Sequence, residues 1–304
     1  MKSDYIWMNG KLVPFNDANV HILTPAIHYG LAIFEGIRCY NTDKGPAIFR
    51  LQEHLKRFKD SAHAFGILDF NYTVDELRDA VHKTILANKF SECYIRPLLY
   101  MGDGPLGLNL DNKHPLVSIA TWKWGNLLGE EKLASGVRLT VSSVTRMHPN
   151  ANLTKAKVAG NYVNSVVAKT LATRMGFDEA VMLDANGMVA ECTGENLFLV
   201  RDGKIYTSPK ANILEGITRD SVISLAGDLN IPVIEEQITR DQLYISDEVF
   251  VCGTAAEVVP VREIDFRTIG AGKMGPITKQ IQQLFFKTAR GQAEHAEWLD
   301  IVES

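Results

Sequence analysis

Asn152-Leu153-Thr154-Lys155-Ala156-Lys157-Val158-Ala159-Gly160-Asn161-Tyr162 sets a lysine just ahead of a helix. The pattern carries that helix from about Gly160 to Met175, where Gly176 stops it. A helix N-terminus carries partial positive charge and is a poor place for a purely structural lysine. The same field lowers an amine's pKa, and Schiff-base chemistry near pH 7 needs a neutral amine. Gly160 lets another backbone or a planar group come close. Tyr162 follows with a hydroxyl that can reach the same place. On spacing alone, an exposed lysine before a frayed helix is the simpler reading.

Upstream, Tyr5 to Val13 reads as a hairpin about Asn9-Gly10, and Ile27 to Tyr40, rich in β-branched and aromatic residues, continues as strand. Leu51, Leu55, Phe58, Ala62 and Phe65 recur at helical spacing, and Thr73 with Glu76 forms a capping box for a second helix through Leu77, Val81 and Ile85. Cys93 to Met101 and Pro115 to Trp122 are strands. Downstream, Gly136 to Val144 alternates as a strand, and Asn186-Gly187 and Asp202-Gly203 mark two hairpins. Thr218 to Leu229 is helical, Glu248 to Cys252 a strand and Pro276 to Lys287 a helix. The class is therefore α+β, with a small N-terminal domain over 1–122, a linker over 123–135 and a larger domain over 136–304 that carries the lysine.

Three further stretches can carry chemistry. Glu191-Cys192-Thr193-Gly194-Glu195-Asn196-Leu197-Phe198 sets two carboxylates and an amide where one strand ends and the next begins. A buried carboxylate needs a partner. The protonated ring nitrogen of pyridoxal phosphate is a good one, and a solvated hairpin turn is an equal alternative. Gly216-Ile217-Thr218-Arg219-Asp220 opens a helix and Gly253-Thr254-Ala255-Ala256 follows a strand, so both offer backbone N–H groups to a phosphate. Arg57 projects from the helix that begins near Leu51, and a guanidinium matches phosphate geometry, although most helix arginines simply face solvent. Asp265 to Arg267 reads as surface charge, and the histidines form no metal-ligand spacing; no metal is expected.

The chain of 304 residues is 46% hydrophobic and 22% charged, with a net charge of −4, which excludes the basic stripe of a nucleic-acid binder and the composition of a disordered chain. Its four cysteines, Cys39, Cys93, Cys192 and Cys252, are dispersed, so reduced thiols are expected rather than disulfides. The N-terminus lacks the form of a secretory or transit signal, and no apolar run is long enough to span a bilayer, so a cytoplasmic protein is expected.

Together these stretches resemble the fold-type IV pyridoxal-phosphate enzymes, and among them the branched-chain amino acid aminotransferases. His28-Tyr29-Gly30, Phe34-Glu35-Gly36-Ile37-Arg38-Cys39-Tyr40 and Tyr94-Ile95-Arg96-Pro97 carry the resemblance with the segments already quoted, over nearly the whole chain and in the family's order. It implies a smaller N-terminal α/β sandwich domain and a larger C-terminal pseudo-barrel domain. By this resemblance Lys157 forms the internal aldimine with pyridoxal 5′-phosphate and shuttles the proton, and Tyr162 bonds the ring oxygen. Glu191 holds the ring nitrogen and Leu214 packs on the ring. Arg57, Gly216, Ile217, Thr218, Gly253 and Thr254 grip the phosphate. The substrate carboxylate meets Tyr94 and the Thr254-Ala255 backbone. Arg96 receives the distal carboxylate of glutamate or 2-oxoglutarate, and Phe34, Tyr29, Trp124 and Gly36 form the apolar wall. The family builds its site between two domains and at a dimer interface, so a homo-oligomer, a dimer or an assembly of dimers, is implied.

The implied reaction is a ping-pong exchange of the amino group between leucine, isoleucine or valine and 2-oxoglutarate. An apolar wall separates neighbouring alkyl groups by only ~1–3 kcal/mol per methylene, so all three amino acids should react. The linker Trp124-Gly125-Asn126-Leu127 and the loop Gly104-Pro105-Leu106-Gly107-Leu108 depart from some relatives and bear on side-chain preference. The related alternatives are a D-amino acid aminotransferase, marked by activity on D-alanine, and an aminodeoxychorismate lyase, marked by pyruvate release without an acceptor. A non-catalytic cofactor-binding protein is a third.

Overall fold

The computed structural model describes residues 3–303. The chain divides into two compact units. The first takes the residues up to Trp124, the segment Ala156–Asn161 and the residues from Thr288 onward; the second takes Gly125–Lys155 and Tyr162–Lys287.

The first unit opens with strands β1 (Tyr5–Met8) and β2 (Lys11–Pro14). Asn9 and Gly10 both have positive φ (47° and 93°), the geometry that lets a two-residue turn follow the strands' twist. A short helix α1 (Pro25–Tyr29) follows, then β3 (Ala32–Phe34), β4 (Ile37–Thr42) and β5 (Gly45–Phe49). Helices α2 (Leu51–Phe65) and α3 (Val74–Ala87) precede the long β6 (Cys93–Asp103) and β7 (His114–Trp122). The strand Leu299–Ile301 joins the edge at β5, and the order continues β4, β6, β7, β1, β2, with β3 also on β6; every pairing is antiparallel. Leu55, Phe58 and Ala62 of α2 and Leu77, Val81 and Ile85 of α3 bury their helical stripe with Ile33, Ile37, Ile48, Ile95 and Leu99 of the sheet. The expected capping box starts α3: Glu76 N–H donates to Thr73 Oγ1 and Thr73 N–H to Glu76 Oε2. At its end, Asn88 accepts from Asp4 N and Tyr5 N and donates to Tyr5 O, Thr84 O and Thr121 Oγ1, which ties helix to sheet.

The second unit contains α4 (Lys132–Ser135), β8 (Val137–Val141), α5 (Tyr162–Arg174), β9 (Glu179–Leu183), β10 (Val189–Cys192), β11 (Asn196–Arg201) and β12 (Lys204–Thr207). It continues through α6 (Ile217–Asp228), β13 (Val233–Glu235), α7 (Arg240–Tyr244), β14 (Glu248–Gly253), β15 (Glu257–Ile264), β16 (Arg267–Thr268) and α8 (Pro276–Ala289). Its mixed sheet runs β10, β9, β8, β15, β14, β11, β12, β13. The edge strand β10 connects directly to β11, five strands away in that order, and Cys192 N–H donates to Glu195 O in the joining turn. A flat sheet cannot make that connection, so this one curls. Glu248 fixes the start of α8 by accepting from Ile277 N and Thr278 N.

The α+β class and the marked hairpins agree with expectation, and three readings need correction. Ile27 to Tyr40 is not continuous strand: Pro25 sits in the first turn of α1 and Gly30 ends it in the left-handed conformation, so Ile27 to Tyr29 are helical. The division at 122 and 136 fails in two places. Residues 156–161 belong to the first unit because Val158 bridges Ile33 on β3, and the last residues belong there because Leu299–Ile301 pairs with β5. Asp265 is no mere surface charge: it accepts from Thr140 Oγ1, Val141 N and Tyr244 Oη. No helix among the described residues is long and apolar enough to cross a membrane. Asn88→Ala should lower the stability of the first unit by about 2 kcal/mol, since it removes five hydrogen bonds and leaves the buried Thr84 and Thr121 acceptors without this donor, and a fall in the urea midpoint would measure it.

Candidate active site

In the first unit the lysine is held by its backbone. Lys157 N–H donates to Ser61 Oγ (3.0 Å) and Phe34 N–H donates to Lys157 O (3.1 Å). Gly30 and Gly160 make the close approach: a Cβ on Gly30 would lie 2.8 Å from Gly160 Cα, and Gly30 has φ +68°. The Lys157 amine stands 4.8 Å from the centre of the Phe34 ring, and the Arg96 guanidinium 4.7 Å from the same ring. Arg96 also faces Tyr94 and Trp122, and its Nη2 donates weakly to Tyr94 Oη (3.4 Å). Its Nε is buried without a hydrogen-bond partner. Tyr94 packs edge-on against Trp124 (4.6 Å), and a methyl on Gly36 would overlap the Tyr94 hydroxyl. Tyr29 is exposed, with its ring beside that of His28.

Arg57 is not a solvent-facing helix arginine. Its Nε and Nη2 donate to the two oxygens of Glu35 (2.7 and 2.9 Å), whose carboxylate is fully buried. His54 Nδ1 lies 2.7 Å from Glu35 Oε2. Burial works to raise the Glu35 pKa, but the facing charges of Arg57 and His54 outweigh it and hold the carboxyl well below its usual range. Burial lowers the pKa of His54 despite Glu35. An ionised carboxylate only accepts, so Nδ1 of His54 is the donor.

The second unit carries the other expected groups. Glu191 accepts from Arg146 Nε (2.6 Å), from Asn196 Nδ2 (3.1 Å) and from Leu214 N (3.3 Å). Gly216 is the N-cap of α6 and makes no side-chain cap; a Cβ there would overlap Asn196 Oδ1. Ile217 and Thr218 are buried in the helix's first turn, whose leading N–H groups have no partner within the helix. Thr254 and Ala255 lie on the turn from β14 to β15, half-buried, and Leu127 N–H donates to Ala255 O. Gly253 backs onto the Gly194 carbonyl, and Tyr162 begins α5, half-buried.

Residues 32–264 match the amino-transferase class IV family. The chain belongs to the class IV aminotransferases. The branched-chain-amino-acid aminotransferase of Pseudomonas aeruginosa is 45% identical over 299 residues, 98% of this chain and 97% of that one. The crystal structure of the Escherichia coli branched-chain amino acid aminotransferase superposes with a TM-score of 0.97 at 44% identity, covering 99% of this chain and all of its own. The branched-chain amino acid aminotransferase from Thermobaculum terrenum, in its PLP-containing holo-form, gives 0.92 at 34% identity, with 99% of each chain covered. The two-unit α+β architecture is that of this class IV family.

Several groups of this class IV chain escape sequence reasoning. Arg146, Ser61, His54 and Trp122 carry no local signal, and Glu35 was legible only as part of a motif. Behind Glu191 lies a second acidic group: Glu179 accepts from Lys169 Nζ (2.6 Å) and Thr193 Oγ1 (2.7 Å), and Glu195, also buried, has one oxygen without a partner. Burial and then the charge of Glu179 push the Glu195 pKa up to about 8, against Lys169 and the Gly194 N–H. The unfolded chain ionises this group near 4.5. Its contribution to stability is therefore complete below that pH and is lost as pH rises through about 8. Glu195→Gln cannot ionise. It should melt higher than the wild type at alkaline pH, by roughly 2–4 °C or more, with the gap closing towards about pH 4–5, as calorimetry across pH would show.

Proposed function

We propose that this chain is a branched-chain-amino-acid transaminase (EC 2.6.1.42), which moves the amino group between leucine, isoleucine or valine and 2-oxoglutarate with pyridoxal 5′-phosphate as cofactor. The observation that carries the reading is the Phe34 ring shared by Lys157 and Arg96. It sets an amine able to move a proton and a cation able to bind a carboxylate against one apolar surface. One pocket must accept both a branched alkyl chain and a second carboxylate. Relatives of 45% identity that carry the branched-chain name favour this reading over a D-amino acid aminotransferase or an aminodeoxychorismate lyase.

The residues fit the cofactor. When bound, pyridoxal phosphate supplies the electron sink that makes the α-proton of an amino acid removable. Lys157 holds the cofactor and carries the proton. Glu191, held by Arg146, Asn196 and the Leu214 N–H, is the carboxylate for the ring nitrogen, with Leu214 against the ring. Tyr162 donates to the ring oxygen. Gly216, Ile217 and Thr218 at the uncapped start of α6, with Gly253, Thr254 and Arg57, bind the phosphate. Tyr94 and the Thr254-Ala255 backbone take the substrate carboxylate. Tyr29, Phe34, Gly36 and Trp124 make the apolar wall. Arg96 takes the distal carboxylate of glutamate, and its partnerless buried Nε suits a site that completes its hydrogen bonds with substrate.

The reading extends to a homo-oligomer in the cytoplasm. Ile22, Leu23 and Leu108 stand exposed on the first unit and all four cysteines are buried free thiols, which support association and a reducing compartment. A monomer in sedimentation at working concentration would argue against the first.

The visible band of the protein purified with pyridoxal phosphate should disappear with L-leucine and return with 2-oxoglutarate, and Lys157→Ala should lose this cycle. A band that responds to D-alanine but not to L-leucine, or pyruvate release without an acceptor, would overturn the assignment. Arg96→Ala should raise the KM for 2-oxoglutarate by about tenfold or more while changing that for leucine far less, as steady-state kinetics would measure.

A further inference from the structure

Glu35 stands between Phe34 and Gly36 in sequence, yet its carboxylate is directed to helix α2. Four donors surround it: Arg57 Nε and Nη2, His54 Nδ1 and, more distantly, Gly36 N (3.3 Å). Its own N–H is fixed on Pro97 O. An ion pair whose carboxylate is fully buried and whose guanidinium is 15% exposed gains little stability over an apolar packing of the same volume. What it does supply is orientation, because a two-bond guanidinium–carboxylate fork removes the rotation of the arginine head. Residues 54, 57 and 61 recur on one face of α2 at helical spacing. The first two grip Glu35, and Ser61 accepts from the Lys157 N–H. One helical face thus serves both the arginine and the lysine segment.

We propose that Glu35 is a positioning residue, which with His54 locks the Arg57 guanidinium in the orientation that binds the cofactor's phosphate. The proposal rests on the cofactor reading above. It distinguishes Glu35 from a simple counter-charge. A counter-charge weakens the attraction of Arg57 for a phosphate dianion, whereas a positioning group strengthens the contact by fixing its geometry.

The test titrates the apo-protein with pyridoxal phosphate and, separately, with pyridoxal, which lacks the phosphate, following absorbance to obtain both dissociation constants. The wild type should prefer the phosphorylated ligand strongly. Glu35→Gln should reduce that preference by roughly ten- to hundredfold while leaving pyridoxal affinity nearly unchanged. If Glu35→Gln does not fold, Glu35→Asp, which keeps the charge but withdraws it by one methylene, should shift the preference in the same direction. In an Arg57→Ala background, Glu35→Gln should have no further effect on the preference. Equal weakening of both ligands would make Glu35 merely structural, tighter phosphate binding would make it a counter-charge, and an additive effect in the double variant would separate it from Arg57. Each overturns the proposal and leaves the cofactor reading intact if the wild type binds normally. A wild type that binds neither ligand overturns both.

Discussion

The path of six residues, Ala156 to Asn161, constrains this molecule more than any other feature. They leave the second unit, lie in the first and return. Their place is fixed by backbone groups: the Lys157 N–H on Ser61, the Lys157 carbonyl under the Phe34 N–H, the bridge of Val158 to Ile33, and the two glycines at 30 and 160 that bring the chains close. The lysine side chain is thereby presented by a segment with little freedom. Reactive groups on rigid supports keep their geometry without entropy loss at each turnover.

Charge is buried throughout, and most of it is matched. Glu35 meets Arg57 and His54, Glu191 meets Arg146, and Glu179 meets Lys169. Glu195, with one oxygen unpartnered, resolves its burial by keeping its proton. Two neighbouring buried carboxylates cannot both ionise cheaply, and the lysine sides with Glu179 through a direct contact that Glu195 lacks.

Much of this architecture was legible locally. Asn9-Gly10, Asp202-Gly203 and, in the Asn186-Gly187 turn, Gly187 take left-handed φ values that few residues admit, and Thr73 with Glu76 starts α3 because a helix N-terminus needs acceptors. What escaped depends on distance along the chain. Nothing near Val158 announces its bridge to Ile33, nor does anything near Arg146 announce Glu191. The strand Glu257–Ile264, at the centre of its sheet, was hidden by Pro260 and by a turn rich in small residues. The candidate site followed the same rule. Family motifs named its residues, but the partners that hold Arg57, Glu191 and Lys157 come from other elements and left no pattern.

The last strand of the first sheet, Leu299–Ile301, pairs with β5, and Asp300 accepts from Arg78 and His82 of α3. Without them β5 is an open edge, and the sheet that supports the lysine segment is incomplete. The first unit is thus closed by a strand that follows the whole of the second unit in sequence, and losing that strand would leave a bare edge open to pairing with a neighbour.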